Sequence, residues 1–128
     1  MTAPEFLSLD EILEIHRDQI SRYGGAPGLR EAGLLQSAIA QPRVMFGGQY
    51  LHADLFEMAA AYLFHIVKNH SFIDGNKRVG AVAAIVFLEL NGLEVNASED
   101  EYEQLVLQIA QGTGDKQAAA SFFRAHTT

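Results

Sequence analysis

The sequence predicts an all-α fold, one compact domain of about six helices packed around a buried central helix. Apolar residues recur at helical spacing along most of the chain, and serine or aspartate caps precede several of these runs. Residues 79–90 are apolar or glycine except for Glu89, so a helix there has no obvious solvent face and belongs in the core. The 128 residues contain no repeat, low-complexity segment or linker, which indicates a single domain over residues 1–128.

The first two helices are predicted from capping and breaking residues. Ser8 and Glu11 form a capping box, and the pair Gly24-Gly25 ends the helix that follows. A second helix lies within residues 28–41, because leucine and isoleucine recur there and the next residue is a proline that stops it.

The third and fourth helices follow a loop. Residues 43–51 have no helical period and contain two adjacent glycines, which predicts a loop. Asp54 then caps a third helix that ends near Asn69. The fourth helix follows an Asp-Gly turn at residues 74–75 and ends at the Asn-Gly pair of residues 91–92.

Two shorter helices complete the predicted bundle. Residues 93–95 are briefly extended, and Ser98 then opens the fifth helix with a second capping box. Gly112 and Gly114 end that helix, and Asp115 caps the sixth.

The composition excludes several classes of protein. The absence of cysteine rules out disulfides and thiolate metal sites, and it favours a cytoplasmic location. The net charge of −7 argues against direct binding of nucleic acid, which needs a basic surface. The apolar run at residues 79–90 is too short to span a membrane, and the Met-Thr-Ala-Pro-Glu start lacks the pattern of a signal peptide. We therefore expect no membrane partner.

Residues 70–78 read His-Ser-Phe-Ile-Asp-Gly-Asn-Lys-Arg and form the one densely functional stretch of the sequence. They precede the apolar fourth helix, whose N-terminal N–H groups and dipole favour a bound anion. In the alternative interpretation Asp74 caps this helix, and Lys77 and Arg78 are merely solvated. We favour a phosphate site, because cations in a first turn oppose the helix dipole unless an anion is present, and Asn76 could cap the helix by itself. The histidine and the aspartate add a possible base and a possible metal ligand, as in an enzyme that handles a nucleotide.

The pattern His-x-Phe-x-Asp-Gly-Asn-Lys-Arg resembles the signature of the Fic/Doc superfamily, and its Asn-Lys-Arg ending is similar to the branch of Doc (death-on-curing) toxins. Residues 28–42 and the Asn-Gly pair at 91–92 also resemble that branch. Fic enzymes proper carry Gly-Asn-Gly-Arg and, three residues later, a second arginine. Here Lys77 and Ala81 occupy the positions of that glycine and that arginine.

The resemblance implies a toxin of a toxin–antitoxin system. Such a toxin would transfer a phosphoryl group from ATP to a hydroxyl of a protein, with elongation factor Tu as the target, and so arrest translation. Two alternatives stay open: Fic-type transfer of AMP to a protein hydroxyl, and an inactive Doc-like binding protein. The missing second arginine disfavours AMP transfer. No Ser/Thr-x-x-x-Glu-Gly/Asn inhibitory helix occurs in the sequence, so the resemblance implies a separate antitoxin that binds an exposed apolar groove near the motif.

The resemblance also assigns a role to each residue of the motif. His70 would be the catalytic base, Asp74 would hold Mg²⁺ on the phosphates of ATP, and Phe72 would anchor the loop. The phosphate-binding groups would be Gly75, Asn76, Lys77 and Arg78. Residues 43–50 match the position of the flap that positions target peptides in Fic enzymes; the alternative is a mobile surface loop. The remaining histidines have no metal-ligand spacing and are interpreted as ordinary surface or packed residues: His16, His52, His65 and His126.

Overall fold

A computed structural model describes residues 3–128, and their secondary structure is almost entirely helical. The six α-helices are α1 (Leu9–Tyr23), α2 (Ala32–Ala40), α3 (Leu55–Asn69), α4 (Asn76–Leu90), α5 (Glu99–Gln111) and α6 (Lys116–Ala125). A short 3₁₀ turn, Gln41–Arg43, follows α2 and leads into an antiparallel hairpin of β1 (Met45–Phe46) and β2 (Gln49–Tyr50). The predicted all-α fold is confirmed. None of the helices in this part of the chain combines the length and the apolar character needed to cross a membrane.

Four of the predicted helix starts are confirmed. The side chains that cap them accept a hydrogen bond from the backbone N–H three residues later: Ser8, Asp54, Ser98 and Asp115. Helix α4 also begins where predicted, directly after the Asp-Gly turn at residues 74–75, but its capping differs from the alternatives that the sequence offered. Its N-cap is Gly75, in the left-handed region with φ 85°, and neither Asp74 nor Asn76 caps the helix with a side chain. The first N–H groups of α4 are therefore left without a side-chain cap.

The buried central helix is α3, which corrects the prediction that α4 holds this place. Eight residues of α3 are buried, and α3 contacts α2, α4, α5 and α6. Residues of α4 such as Val82 and Ile85 are only partly buried, because that side of α4 forms the floor of surface grooves. An apolar helix surface can be covered by other helices or can line an open groove, and the sequence pattern does not distinguish the two.

Gly80 brings α3 and α4 into close contact. A Cβ at this position would lie 2.8 Å from Cγ2 of Val67 and 3.2 Å from the carbonyl oxygen of Leu63. A larger residue would therefore push the two helices apart. This matters for the candidate site because residues 70–75 connect the end of α3 to the start of α4.

The folding stability should depend on pH through His65, a residue of α3 that lies beside Lys116 of α6. Burial and the charge of nearby Lys116, whose Nζ is 3.1 Å from His65 Nε2, together lower the pKa of His65 to about 4, and burial is the larger cause. In the unfolded chain the pKa returns to about 6.5, so between these values the unfolded state binds the extra proton. Stability is therefore fully present above about pH 6.5 and should fall by on the order of 2 kcal/mol as the pH drops toward 4.

Denaturant unfolding at neutral and at acidic pH measures this loss. The variant His65→Gln has no titrating imidazole and should show a smaller difference between the two conditions. An equal difference in wild type and variant would contradict the assignment to His65.

Candidate active site

His70 ends α3 in an unusual backbone conformation. It has φ 50° and ψ 47°, and within residues 3–128 it is the one residue other than glycine with a positive φ. This left-handed conformation costs a residue with a side chain roughly 1–2 kcal/mol. The His70 carbonyl oxygen accepts hydrogen bonds from Nε of Arg30 at 2.9 Å and Nη2 of Arg30 at 2.6 Å. The imidazole itself is exposed, so its position depends on this backbone.

The backbone of residues 28–31, just before α2, runs antiparallel to the start of the motif. The carbonyl of Ser71 accepts hydrogen bonds from the N–H groups of Arg30 at 2.7 Å and Glu31 at 3.0 Å. The N–H of Ile73 donates to the carbonyl of Gly28 at 3.1 Å. These bonds tie the motif to a segment about 40 residues earlier in the chain.

Phe72 lies beneath the motif with 2% of its surface exposed. Its ring stacks on the imidazole of His16, with centroids 3.9 Å apart and planes at 8°. His16 is itself buried, and its Nε2 lies 2.9 Å from the carbonyl oxygen of Asp74. His16 of α1 thus holds the motif both through the Phe72 ring and through the backbone of Asp74.

Asn76 uses its side chain to close the loop. Its Oδ1 accepts from the N–H of Phe72 at 3.0 Å, and its Nδ2 donates to the carbonyl of Phe72 at 3.0 Å. Both the oxygen and the nitrogen of the side-chain amide therefore bind within the motif. Of the groups that the sequence assigned to an anion cradle, Asn76 can contribute its backbone N–H.

The N–H groups at the start of α4 differ in what they bind. The N–H of Gly75 donates to Oδ1 of Asp74 at 2.9 Å, so it is already paired. The next three, those of Asn76, Lys77 and Arg78, have no acceptor among the described residues, as expected for the first turn of a helix. These three N–H groups, together with the helix dipole, form the part of the motif best suited to an anion.

The carboxylate of Asp74 is exposed and keeps room for another ligand. Its Oδ2 accepts from the N–H of Ala26 at 3.2 Å and its Oδ1 from Gly75, which leaves a lone pair on each oxygen. No group of three or more histidine, cysteine or acidic residues in the described part of the chain could hold a metal ion. A cation at Asp74 would therefore need phosphate oxygens and water as its other ligands, which suits Mg²⁺.

Arg78 joins α4 to the end of α1. Its Nη1 donates to the carbonyls of Gln19 at 3.3 Å and Gly24 at 3.0 Å. Gly25 is needed beside it, since a Cβ there would lie 2.8 Å from Oδ2 of Asp74 and 3.0 Å from Nη2 of Arg78. Lys77, by contrast, is exposed and has no hydrogen-bond partner within residues 3–128.

One cleft of about 380 Å³ brings the predicted residues together. It is lined by His70, Ile73, Asp74, Gly75, Asn76, Lys77, Arg78 and Ala110. Phe72 is the one predicted residue that does not line it, because its ring is buried below. A larger apolar groove of about 530 Å³ adjoins this cleft, lies between α1, α4 and α5, and shares Lys77 and Arg78 with it.

Residues 43–50, which match the position of the Fic flap, form the hairpin of β1 and β2 and the turn before it. The Tyr50 end of this hairpin lies toward the C-terminal half of α4, because the ring of Tyr50 is 5.7 Å from that of Phe6, and Phe6 is 5.8 Å from Phe87. Phe87 is 11 residues (87 − 76) beyond the start of α4, roughly 16 Å along the helix axis. Hydrogen bonds tie the motif to residues 24–26 and 28–31.

Sequence reasoning missed two residues that hold the motif in place, His16 and Arg30. His16 was interpreted as a surface or packed residue, and it is packed, but it also binds the backbone of Asp74. Arg30 lies within the segment that resembles Doc toxins, and that resemblance was the available signal. Neither contact follows from spacing, since the partners are 58 and 40 residues apart.

Comparisons with known proteins agree with the motif. The model of the Fic/DOC family matches residues 6–88. The chain is 34% identical over 109 residues to a protein kinase doc of Escherichia phage P1, an alignment that covers 85% of this chain and 83% of that protein. It is also 35% identical over 101 residues to a toxin Doc of Mycolicibacterium smegmatis, which covers 77% of this chain and 78% of that protein.

Proposed function

The chain belongs to the Fic/Doc family, and from this premise we propose that it is a Doc-type toxin that transfers the γ-phosphoryl group of ATP to a hydroxyl of a protein. The observation that carries the proposal is the cleft that gathers His70, Asp74, Lys77 and Arg78 at the open N-terminus of α4. A base, a carboxylate for Mg²⁺, a cation and free N–H donors are the groups that phosphoryl transfer requires.

The phosphates of ATP bind at the start of α4 in this proposal. The N–H groups of Asn76, Lys77 and Arg78 donate to phosphate oxygens, and the ammonium of Lys77 neutralises part of their charge. Mg²⁺, held by Asp74, neutralises more of that charge when it is bound. The main role of Arg78 is structural, because its Nη1 already binds the carbonyls of Gln19 in α1 and of Gly24 just after it. Arg78 nevertheless lines the cleft.

His70 acts as the general base at the mouth of the cleft. The imidazole accepts the proton of the acceptor hydroxyl while the hydroxyl oxygen attacks the γ-phosphorus. The bond from that phosphorus to the β,γ-bridging oxygen breaks, and ADP leaves with the bonding electrons. Leu29, which is bridged to Phe72, and Ile73, which lines the cleft with His70, have exposed side chains. They offer an apolar surface to the acceptor protein. Elongation factor Tu is the acceptor that the resemblance implies.

A separate antitoxin is proposed to occupy the groove between α1, α4 and α5. The apolar floor of this groove includes Ala81, Val82 and Ile85, while Lys77 and Arg78 stand at its border with the cleft. A bound segment with apolar side chains and a carboxylate facing those cations would fit the groove and restrict access of ATP phosphates to α4. This proposal rests on the resemblance for the existence of the antitoxin and on the groove for its position.

Transfer from labelled ATP tests the proposed reaction. We expect purified protein, Mg²⁺ and ATP labelled at the γ-phosphate to label elongation factor Tu, and ATP labelled at the α-phosphate to leave it unlabelled. Label from the α-phosphate alone would instead establish AMP transfer. Absence of both labels, on purified elongation factor Tu and on the proteins of a cell lysate, would favour the inactive binding protein.

A further inference from the structure

Arg30 contributes three hydrogen bonds to the end of α3. Its side chain donates two hydrogen bonds to the His70 carbonyl oxygen, from Nε at 2.9 Å and from Nη2 at 2.6 Å. Its backbone N–H donates to the Ser71 carbonyl at 2.7 Å. Arg30 is exposed and contributes nothing to the buried core. A guanidinium fork on one carbonyl fixes the orientation of that carbonyl in a way that a single donor does not.

The backbone conformation at His70 is the feature that such a fork would maintain. Residues with a side chain persist in the left-handed region where their surroundings hold them there, and such positions cluster at functional sites. The imidazole of His70 is exposed, so no packing fixes it independently of the backbone. A change in φ and ψ at residue 70 would therefore move the ring relative to Asp74 and to the start of α4.

We propose that Arg30 is a positioning residue, which holds His70 in its left-handed conformation and so aims the imidazole at the acceptor hydroxyl. This inference rests on the proposed function of His70 as the base. Arg30 does not line the cleft, and its side chain acts through the His70 carbonyl. A displacement of about 1 Å in a reacting group is enough to reduce a rate about 10²-fold.

The test compares Arg30→Ala and Arg30→Lys with Arg17→Ala, a control that removes an exposed arginine of α1 paired with Glu14. We expect Arg30→Ala to lower kcat by about 10–100-fold and to leave the Kd for ATP unchanged. Arg30→Lys has a single donor group in place of the fork, so its kcat should lie between those of Arg30→Ala and wild type. Arg17→Ala should behave as wild type.

Chemical rescue separates positioning from general stability. Guanidinium ion, added well below denaturing concentrations, should raise kcat of Arg30→Ala severalfold and leave Arg17→Ala unchanged. In the background of His70→Ala, removal of Arg30 should cause no further loss. The proposal is overturned if kcat of the folded Arg30 variants equals that of wild type, or if the loss in kcat/KM comes entirely from weaker ATP binding.

A readout without turnover distinguishes failure of this inference from failure of the proposed function. The ¹³C chemical shifts of the His70 carbonyl and Cα report its backbone conformation directly, and they should move in Arg30→Lys and stay in place in Arg17→Ala. If the wild type shows no transfer, the proposed function fails, and these shifts still decide what Arg30 does. Unchanged shifts in both Arg30 variants would overturn the inference, and Arg30→Lys supplies the measurement if Arg30→Ala does not fold.

Discussion

Replacing His70 with alanine should reduce phosphoryl transfer by about 10²–10⁴-fold, the usual contribution of a general base. Growth inhibition on expression of the protein should be lost with it. The Kd for ATP should stay the same, because the proposed phosphate ligands are N–H groups of α4 and the side chain of Lys77. The fold should also persist, since the His70 side chain is exposed and packs against nothing that its removal would disturb.

The backbone of His70 calls for a second variant. Alanine is disfavoured in the left-handed conformation, whereas asparagine adopts it more readily than most residues with a side chain. His70→Asn therefore removes the base while it keeps the backbone preference. Both variants should be inactive and should bind ATP. Near wild-type activity in His70→Asn would refute the role of His70 as base, and a loss confined to His70→Ala would identify the backbone as the cause.

Local signals predicted the helices well and predicted burial less well. The capping boxes at Ser8 and Ser98 are correct because each involves residues three positions apart, which the sequence displays directly. The sequence predicts α4 as the central helix, whereas the structure has α3 there, and this error has a different cause. Both helices are rich in apolar residues, and the one that is covered on all sides is decided by contacts among distant elements.

The candidate site shows the same division. A single stretch of nine residues contains the groups that line the cleft, so their proximity could be predicted from the motif. The bonds that each of these side chains makes could not be predicted from the motif. The side chain of Asn76 is hydrogen-bonded to the backbone of Phe72, and Arg78 is bound to carbonyls at the end of α1 and just after it.

Arg78 is consequently a poor probe of phosphate binding. Its replacement by alanine would remove the hydrogen bonds to Gln19 and Gly24 and so would loosen the contact between α1 and α4. Weaker ATP binding in that variant would combine a lost ligand with a moved helix. Asp74 offers a clearer experiment, because asparagine has nearly the same shape as aspartate and removes the charge.

Asp74→Asn should reduce Mg²⁺-dependent transfer by about 10²-fold or more, since a metal ion stabilises the charge of a phosphoryl transition state by several kcal/mol. Asparagine can still accept from the N–H of Gly75 or of Ala26, so the loop should lose no more than one of these two bonds. Asp18→Asn is the matched control, because Asp18 pairs with Arg22 on the surface of α1.

Binding of ATP with and without Mg²⁺ gives the decisive measurement. In wild type, in His70→Ala and in Asp18→Asn, we expect Mg²⁺ to lower the Kd for ATP, because Asp74 would hold the metal and the metal would neutralise charge on the phosphates. In Asp74→Asn the Kd should be nearly the same with and without the metal. If Mg²⁺ still tightened binding in Asp74→Asn as much as in wild type, Asp74 would not be the metal ligand, and its carboxylate would serve only to hold the N–H groups of Ala26 and Gly75.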